Sequence, residues 1–465
     1  MNKKVKVNIV VILIIFSLFF GGIFFQKTNA FTPVEVNIDA KNATYCMVNI
    51  GRVERLSNGS MLAMYNKYTS CPGHDDTRCS VWKKISVDGG TTWLGPTILK
   101  ANSGDGSWGA HVGGIVTSPN GTLIVTYLKW KSRGDSDVYY QMSWDDGETW
   151  HDKGEMTTAK PYNGYASPGI VLSDGYTIIM GNSGDTGSGN LEAFAQVSTD
   201  NGTTWNEYSI PRGGLTHLFE PNFVELSNGT VYALCRTEVG HLYESWSEDK
   251  GVTWSIAQQS ILQSADAPCI LLKYSSSPSR ILIMWDNTSV IAHHRYPLDV
   301  GISYDNCISW NYTKTVKNLS ANDYHSYPDM EILPDNKILA IWWSCTSAGI
   351  SGYHDVNSTF FPLSWFTDEV ELQFVSIDGG GNETVVYNST PVFVWTKQDN
   401  TIQYHLQIAT DNAFTTLVVN ISDINEVNYP TEYSDDNTNI TFTLPTANAL
   451  TVYDTYYCRV RAYTL

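Results

Sequence analysis

The octapeptide SVDGGTTW, residues 86–93, returns along the chain as SWDDGETW (143–150), STDNGTTW (198–205) and SEDKGVTW (247–254), and in degenerate form as SYDNCISW (303–310). Their aspartates, Asp88, Asp145, Asp200, Asp249 and Asp305, are 57, 55, 49 and 56 residues apart. A fixed period of this length is the signature of a repeat architecture. Within each copy the Asp side chain can bond backbone amides of its own turn, the Gly can take a left-handed conformation, and the Trp supplies packing area. These aspartates read as scaffold, not as working carboxylates.

A second signal alternates with the first. Asn/Asp-Gly turns between apolar runs occur in LSNGSMLAMY (Gly59), SPNGTLIVTY (Gly121), LSDGYTIIM (Gly175) and LSNGTVYAL (Gly229), with weaker versions in YSSSPSRILIMW (274–285) and LPDNKILAIW (333–342). Such dipeptides fit the primed turns of antiparallel hairpins. One period therefore holds two hairpins, or four antiparallel strands, which is one propeller blade. Six turns of the second kind predict an all-β, six-bladed β-propeller over residues 33–367.

Five octapeptides of this form are Asp boxes, and the pattern resembles the sialidase (neuraminidase) superfamily of six-bladed propellers. From about residue 370 the texture changes to alternating apolar and polar residues without Asp boxes. That segment, 370–465, resembles a fibronectin type III β-sandwich, with Trp395 and Tyr457 as expected core aromatics. It is expected to be one strand short, as in a piece of a longer surface protein.

Residues 1–30 combine Lys3, Lys4 and Lys6 with a long apolar run and Thr28-Asn29-Ala30, which reads as a signal peptide, the alternative being an uncleaved membrane anchor. Thirteen N-x-S/T sequons suit a secreted or cell-surface protein in an N-glycosylating source. The formal charge of -18, or -22 without the four lysines of the leader, disfavours nucleic acid and anionic membranes as partners. The eight cysteines are free to form disulfides outside the cell, and no C-x-x-C or Cys/His spacing suggests zinc. No metal or cofactor is expected, and a monomer acting on a glycan or glycoconjugate is.

Both hairpins of an up-and-down blade turn at one face, so a pocket would open at the other, where the innermost strands begin. Counting nine or ten residues back from each Asn/Asp-Gly turn gives Asn49, His111, Tyr165, Glu220 and Tyr327, with Asp266 near the equivalent place in blade five. Solvated polarity at strand ends is the plainer reading of any one of them. Glu220 and Arg236 are both eight residues from Asn228, which sets them opposite each other on neighbouring strands.

The resemblance adds roles. LFEPNFVELSNGTVYALCR (218–236) looks like the sialidase stretch that supplies a catalytic glutamate, Glu220, followed by one arginine of a carboxylate-binding trio, Arg236. AHHRYPLDVGISYD (292–305) puts Arg295 where the family keeps another, and HSYPDMEIL (325–333) puts Tyr327 at the nucleophile position. The loop CPGHDDTRC (71–79) offers Asp75 or Asp76 as acid/base, with Asp76 slightly favoured. The family's opening Arg-Ile-Pro is replaced by Asn49-Ile50-Gly51. Arg52, three residues after Asn49, is expected on the opposite strand face unless a bulge intervenes, so the first arginine is expected to be missing. The implied reaction is retaining hydrolysis of a terminal acidic sugar, with a Tyr/Glu nucleophile pair. Two other readings stay open: a glycosidase of the same fold acting on a different sugar, and a non-catalytic propeller that binds glycan or protein.

Overall fold

The computed structural model describes residues 33–366, save 70–75, 133, 157–159, 161, 165–166, 186, 277–278, 290–294, 318–323 and 347–352, together with most strands of a C-terminal unit between 369 and 464. The leader, residues 1–30, lies outside the described residues.

Six antiparallel sheets form the blades of the first unit, each beginning with its innermost strand. Blade one holds Met47–Arg55, Met61–Tyr68, Cys79–Ser86 and Leu94–Lys100; blade four holds Phe219–Glu225, Val231–Arg236, His241–Ser247 and Gln258–Gln263. In blade three the inner position is divided between Tyr162–Asn163 and Ile170–Val171, both paired with Ile178–Asp185. Blade six consists of Tyr324–Ile332, Ile338–Thr346 and Tyr353–Phe361, and its outermost strand is the N-terminal Val36–Ala40, which pairs with Tyr353–Phe361. This closure joins the two ends of the propeller in one sheet. Val36–Ala40 is too short to carry a periodic signal of its own, and the sequence reading did not assign it.

The Asp boxes act as local braces. Asp88 accepts from the Thr92 amide at 2.8 Å and the Thr92 hydroxyl at 2.6 Å, while the Ser86 hydroxyl donates to Asp88 at 2.8 Å and accepts from the Gly90 amide. The same set recurs at Asp145, Asp200, Asp249 and Asp305. Trp150, Trp205 and Trp254 each donate their indole N–H to the box glycine carbonyl, and Trp205 packs across sheets against Tyr140 of the preceding blade. Glycine suits the position: at Gly202, with φ +80°, a Cβ would lie 2.2 Å from Ile124 Cδ1, although the degenerate fifth box holds Cys307 there with φ 67°.

In the C-terminal unit a four-stranded sheet (Glu369–Val370, Tyr457–Thr464, Thr401–Ala409, Leu417–Ile424) and a three-stranded one (Val392–Thr396, Asn439–Thr443, Tyr433–Asp435) enclose Leu406, Ile408, Val419, Ile440 and Phe442. The side chains of Trp395 and Tyr457 lie outside the described residues. Cys46 is disulfide-bonded, Cys235, Cys269 and Cys307 are free thiols buried in the propeller, and Cys79 and Cys345 are buried there as well.

Candidate active site

Near their starts, four innermost strands slip by one residue against the second strand: between Asn49 and Gly51, between Val112 and Ile115, between Phe219 and Asn222, and between Ser326 and Asp329. In blade two the extra residue falls at Gly113-Gly114, whereas the other three carry a side chain there. At the slip stand Ile50, Glu220 and Tyr327, with φ of 47°, 46° and 50°. Positive φ is costly for residues with side chains, and a glycine or proline follows each of the three. The bulge re-aims a side chain that would otherwise follow the pleat. In blades four and six it aims Glu220 and Tyr327 at each other.

The Tyr327 hydroxyl donates to Glu220 Oε1 at 2.7 Å. Arg236 Nη1 donates to Glu220 Oε2 at 2.7 Å and to Tyr327 Oη at 3.2 Å, and its Nε donates to Asp266 at 2.7 Å. Glu220 thus meets Arg236 as expected, although the bulge makes Phe219, not Glu220, the register partner of Arg236. The Phe219 ring lies 4.5 Å from the guanidinium, and the Glu220 amide is held by Ser183 Oγ at 2.7 Å. Arg295, half-buried, donates to Ser326 Oγ at 2.9 Å, beside Tyr327. Burial, then the Glu220 charge, push the Tyr327 phenol above its ordinary range, with Arg236 and Arg295 pulling the other way. The phenol is therefore neutral at physiological pH, with a carboxylate in place to take its proton.

Other expected residues are placed differently. Asn49 is 1% exposed, and its carboxamide spans Asn66 Nδ2 and Met47 Sδ, so it does not line the pocket. His111 is fully buried, with one ring nitrogen against the Asp76 carbonyl at 3.0 Å and the other against Tyr68 Oη at 3.3 Å, so it fixes the loop from beneath and is unavailable to a ligand. Asp76 forms a two-point ion pair with Arg78, 2.7 Å on each side. Burial raises its carboxyl, but the bonds and charge of Arg78 outweigh that and hold it below the usual range. Asp75 and Tyr165 lie outside the described residues.

Two more residues stand near the site: Arg52, which the sequence places on the opposite strand face unless a bulge intervenes, and Asp286, which no sequence signal singled out. Arg52 is buried and stands under Tyr327, with Cζ 5.9 Å from the ring centroid; the bulge at Ile50 turns it to the central axis instead of the opposite face. It lines a central recess together with Glu220, Tyr327, Asn222 and Ser167. Asp286, at the end of Ser279–Asp286, is buried within the electrostatic reach of Arg295 and Arg236, and burial pushes its carboxyl well above the ordinary range. No turn signal marks either position. Among the described residues, no group of three or more His, Cys, Asp or Glu side chains is arranged to hold a metal ion.

Asp-box blades with a Tyr–Glu–Arg cluster opposite the boxes define a propeller of the sialidase type. The chain belongs to the BNR repeat-like domain family, whose model matches residues 55–339. It is 28% identical over 262 residues to a sialidase of Paraclostridium sordellii, an alignment covering 50% of this chain and 61% of that protein, so the chain spans less than two thirds of the relative's length. Among solved structures, the leech intramolecular trans-sialidase superposes with a TM-score of 0.60 at 14% identity, over 72% of this chain and 71% of that one. An α-L-arabinanase of Penicillium chrysogenum superposes at 0.55 and 16% identity, over 72% and 99%. At such identities these two likenesses concern the fold alone.

Proposed function

We propose that the propeller is an exported, sialidase-like retaining exo-glycosidase acting on the terminal acidic sugars of glycans or glycoconjugates. The observation that carries this reading is the contact of Tyr327 with Glu220 and Arg236. A carboxylate next to the anomeric carbon would repel an anionic nucleophile, and a neutral phenol with an adjacent base avoids that repulsion. In the first step Tyr327 Oη bonds to the anomeric carbon while its proton passes to Glu220. The leaving oxygen departs with the electron pair of its glycosidic bond and takes a proton from a loop aspartate. That aspartate then deprotonates water, which displaces the sugar from Tyr327. The ion pair with Arg78 keeps Asp76 ionised and engaged, so Asp75 takes the acid/base role in this proposal. Arg236 and Arg295 hold the acid group, each with guanidinium N–H groups beyond those bonded above.

The buried Asn49 favours a second reading: a glycosidase of the same fold whose sugar needs one arginine fewer. A fluorogenic sialoside tests the first, which predicts release by the wild type and none by Tyr327→Phe. No release between pH 4 and 9, with turnover of another exo-glycoside, would establish the second.

A further inference from the structure

The guanidinium of Arg52 is held on the axis by its own surroundings. Its Nε donates to the Gly113 carbonyl and its Nη1 to the Gly51 carbonyl, both at 3.1 Å. The Asp329 carboxylate supplies the largest attractive charge on it, ahead of Tyr327 and Glu220, and is itself fixed by the amides of Val53 at 3.0 Å and Met330 at 2.9 Å. These bonds hold a planar cation under the ring of Tyr327. An arginine within about 6 Å of an aromatic centroid interacts with the ring itself, and more strongly where water is excluded. Arg236 approaches Tyr327 from the hydroxyl side, where it also meets Glu220, and Arg295 acts on the phenol through its charge. Arg52 is the cation that acts from beneath.

We infer that Arg52 is a positioning residue for Tyr327, fixing the ring and favouring negative charge on its oxygen, and that it does not clamp the substrate. The inference rests on reading Tyr327 as the nucleophile. Its place in the reaction is the second step, in which the bond between the anomeric carbon and Tyr327 Oη breaks and its electron pair returns to Oη. A buried cation under the ring lowers the cost of that charge. Among the described residues, the charged and titratable groups that act on Tyr327 are Glu220 and Arg236 from blade four, Arg295 from blade five and Arg52 from blade one, with Asp329 acting on Arg52.

The test is a titration of position 327 in the full chain. With trifluorotyrosine incorporated there, the 19F resonance followed against pH reports the phenol directly and needs no turnover. Arg52→Met is expected to raise the midpoint by about one pH unit, as removal of a nearby opposite charge does, and Arg52→Lys to fall between. Arg52→Gln serves the same purpose if the methionine variant does not fold. In the sialoside assay, Arg52→Met should lower kcat at least tenfold with KM within threefold. An unchanged midpoint in folded variants overturns the inference, as does a raised KM at unchanged kcat. A shifted midpoint in a chain that releases nothing from any sialoside would instead sink the hydrolase reading and leave Arg52 as a partner of the phenol.

Discussion

Tyr327 and Glu220, 107 residues apart in sequence, meet at 2.7 Å because each sits on a backbone bulge of positive φ at the start of an innermost strand. The contact makes both residues necessary in the proposed chemistry, for different reasons. Tyr327→Phe removes the nucleophile and should abolish sialoside release. Glu220→Gln keeps the shape but removes the base, and should lower kcat by about 10²- to 10⁴-fold, the range typical of a lost general base. Steady-state kinetics on both variants check this, with thermal unfolding as the control for folding.

Arg236 is the hub of the cluster, and its removal should cost stability as well as activity. It is buried between Glu220 and Asp266, so Arg236→Met leaves the Glu220 carboxylate without its counter-charge in a water-poor site. Losing one partner of a buried pair costs about 3–5 kcal/mol. The part-exposed Asp266 can recover hydration, so roughly 3 kcal/mol is expected from denaturant unfolding. Arg236→Lys should recover only part of this, since a single ammonium cannot span Glu220, Tyr327 and Asp266 as the planar fork does.

The two loop aspartates should separate cleanly. Asp75→Asn is expected to lower kcat by roughly 10²-fold or more, with the loss smallest for substrates whose leaving group needs no proton. Asp76→Asn should retain most activity while freeing Arg78 and loosening the loop over His111. Comparing an aryl sialoside of an acidic phenol with a natural disaccharide distinguishes the roles. Equal losses on both substrates for Asp75→Asn would remove it as the acid.

The blade count was legible because its signals are local: an Asp box or an Asn-Gly hairpin is written in eight or ten consecutive residues. Glu220 and Tyr327 were legible for the same reason, each nine positions before the turn residue, Gly229 and Asn336. Asn49 and His111 are ten before theirs and still in register with the second strand, Asn49 one step short of the slip and His111 two, and that offset separates the pocket from the strand interior. In blade one the pocket-phase residue is Ile50, and Arg52 keeps the phase of Asn222 and Asp329. A bulge adds a residue without a strong compositional mark, so strand alternation counted from the turn loses its phase there. The pairing of Val36–Ala40 with a strand more than 300 residues later was illegible for a different reason: closure of a ring is a tertiary event.

Stability should fall as pH rises from about 5 towards 8. Glu54 and Glu331 lie on the innermost strands of adjacent blades; burial above all, and for Glu331 the charge of Glu54 next, push both carboxyls above the ordinary glutamate range. Burial likewise raises Asp329 to about 6. A carboxyl whose native pKa exceeds its unfolded value binds more protons in the folded chain. Its contribution is fully present below the unfolded pKa, near 4.3 for glutamate, and is lost as pH climbs through the native one. The Asp-box carboxylates work in the opposite sense, since Thr149 holds Asp145 at about 2, but their window lies below pH 4 and leaves the neutral range to the axial acids. Glu54→Gln can keep the bonds that the Thr117 amide and hydroxyl donate to the side chain while removing the titrating group. The double variant Glu54→Gln/Glu331→Gln should therefore flatten the decline in Tm between pH 5 and 8, while Asp145→Asn should leave that slope untouched and alter only the acid limb. Thermal unfolding across this range checks it, and a wild-type Tm that rises from pH 5 to 8 would show that the axial carboxyls are ionised at little cost.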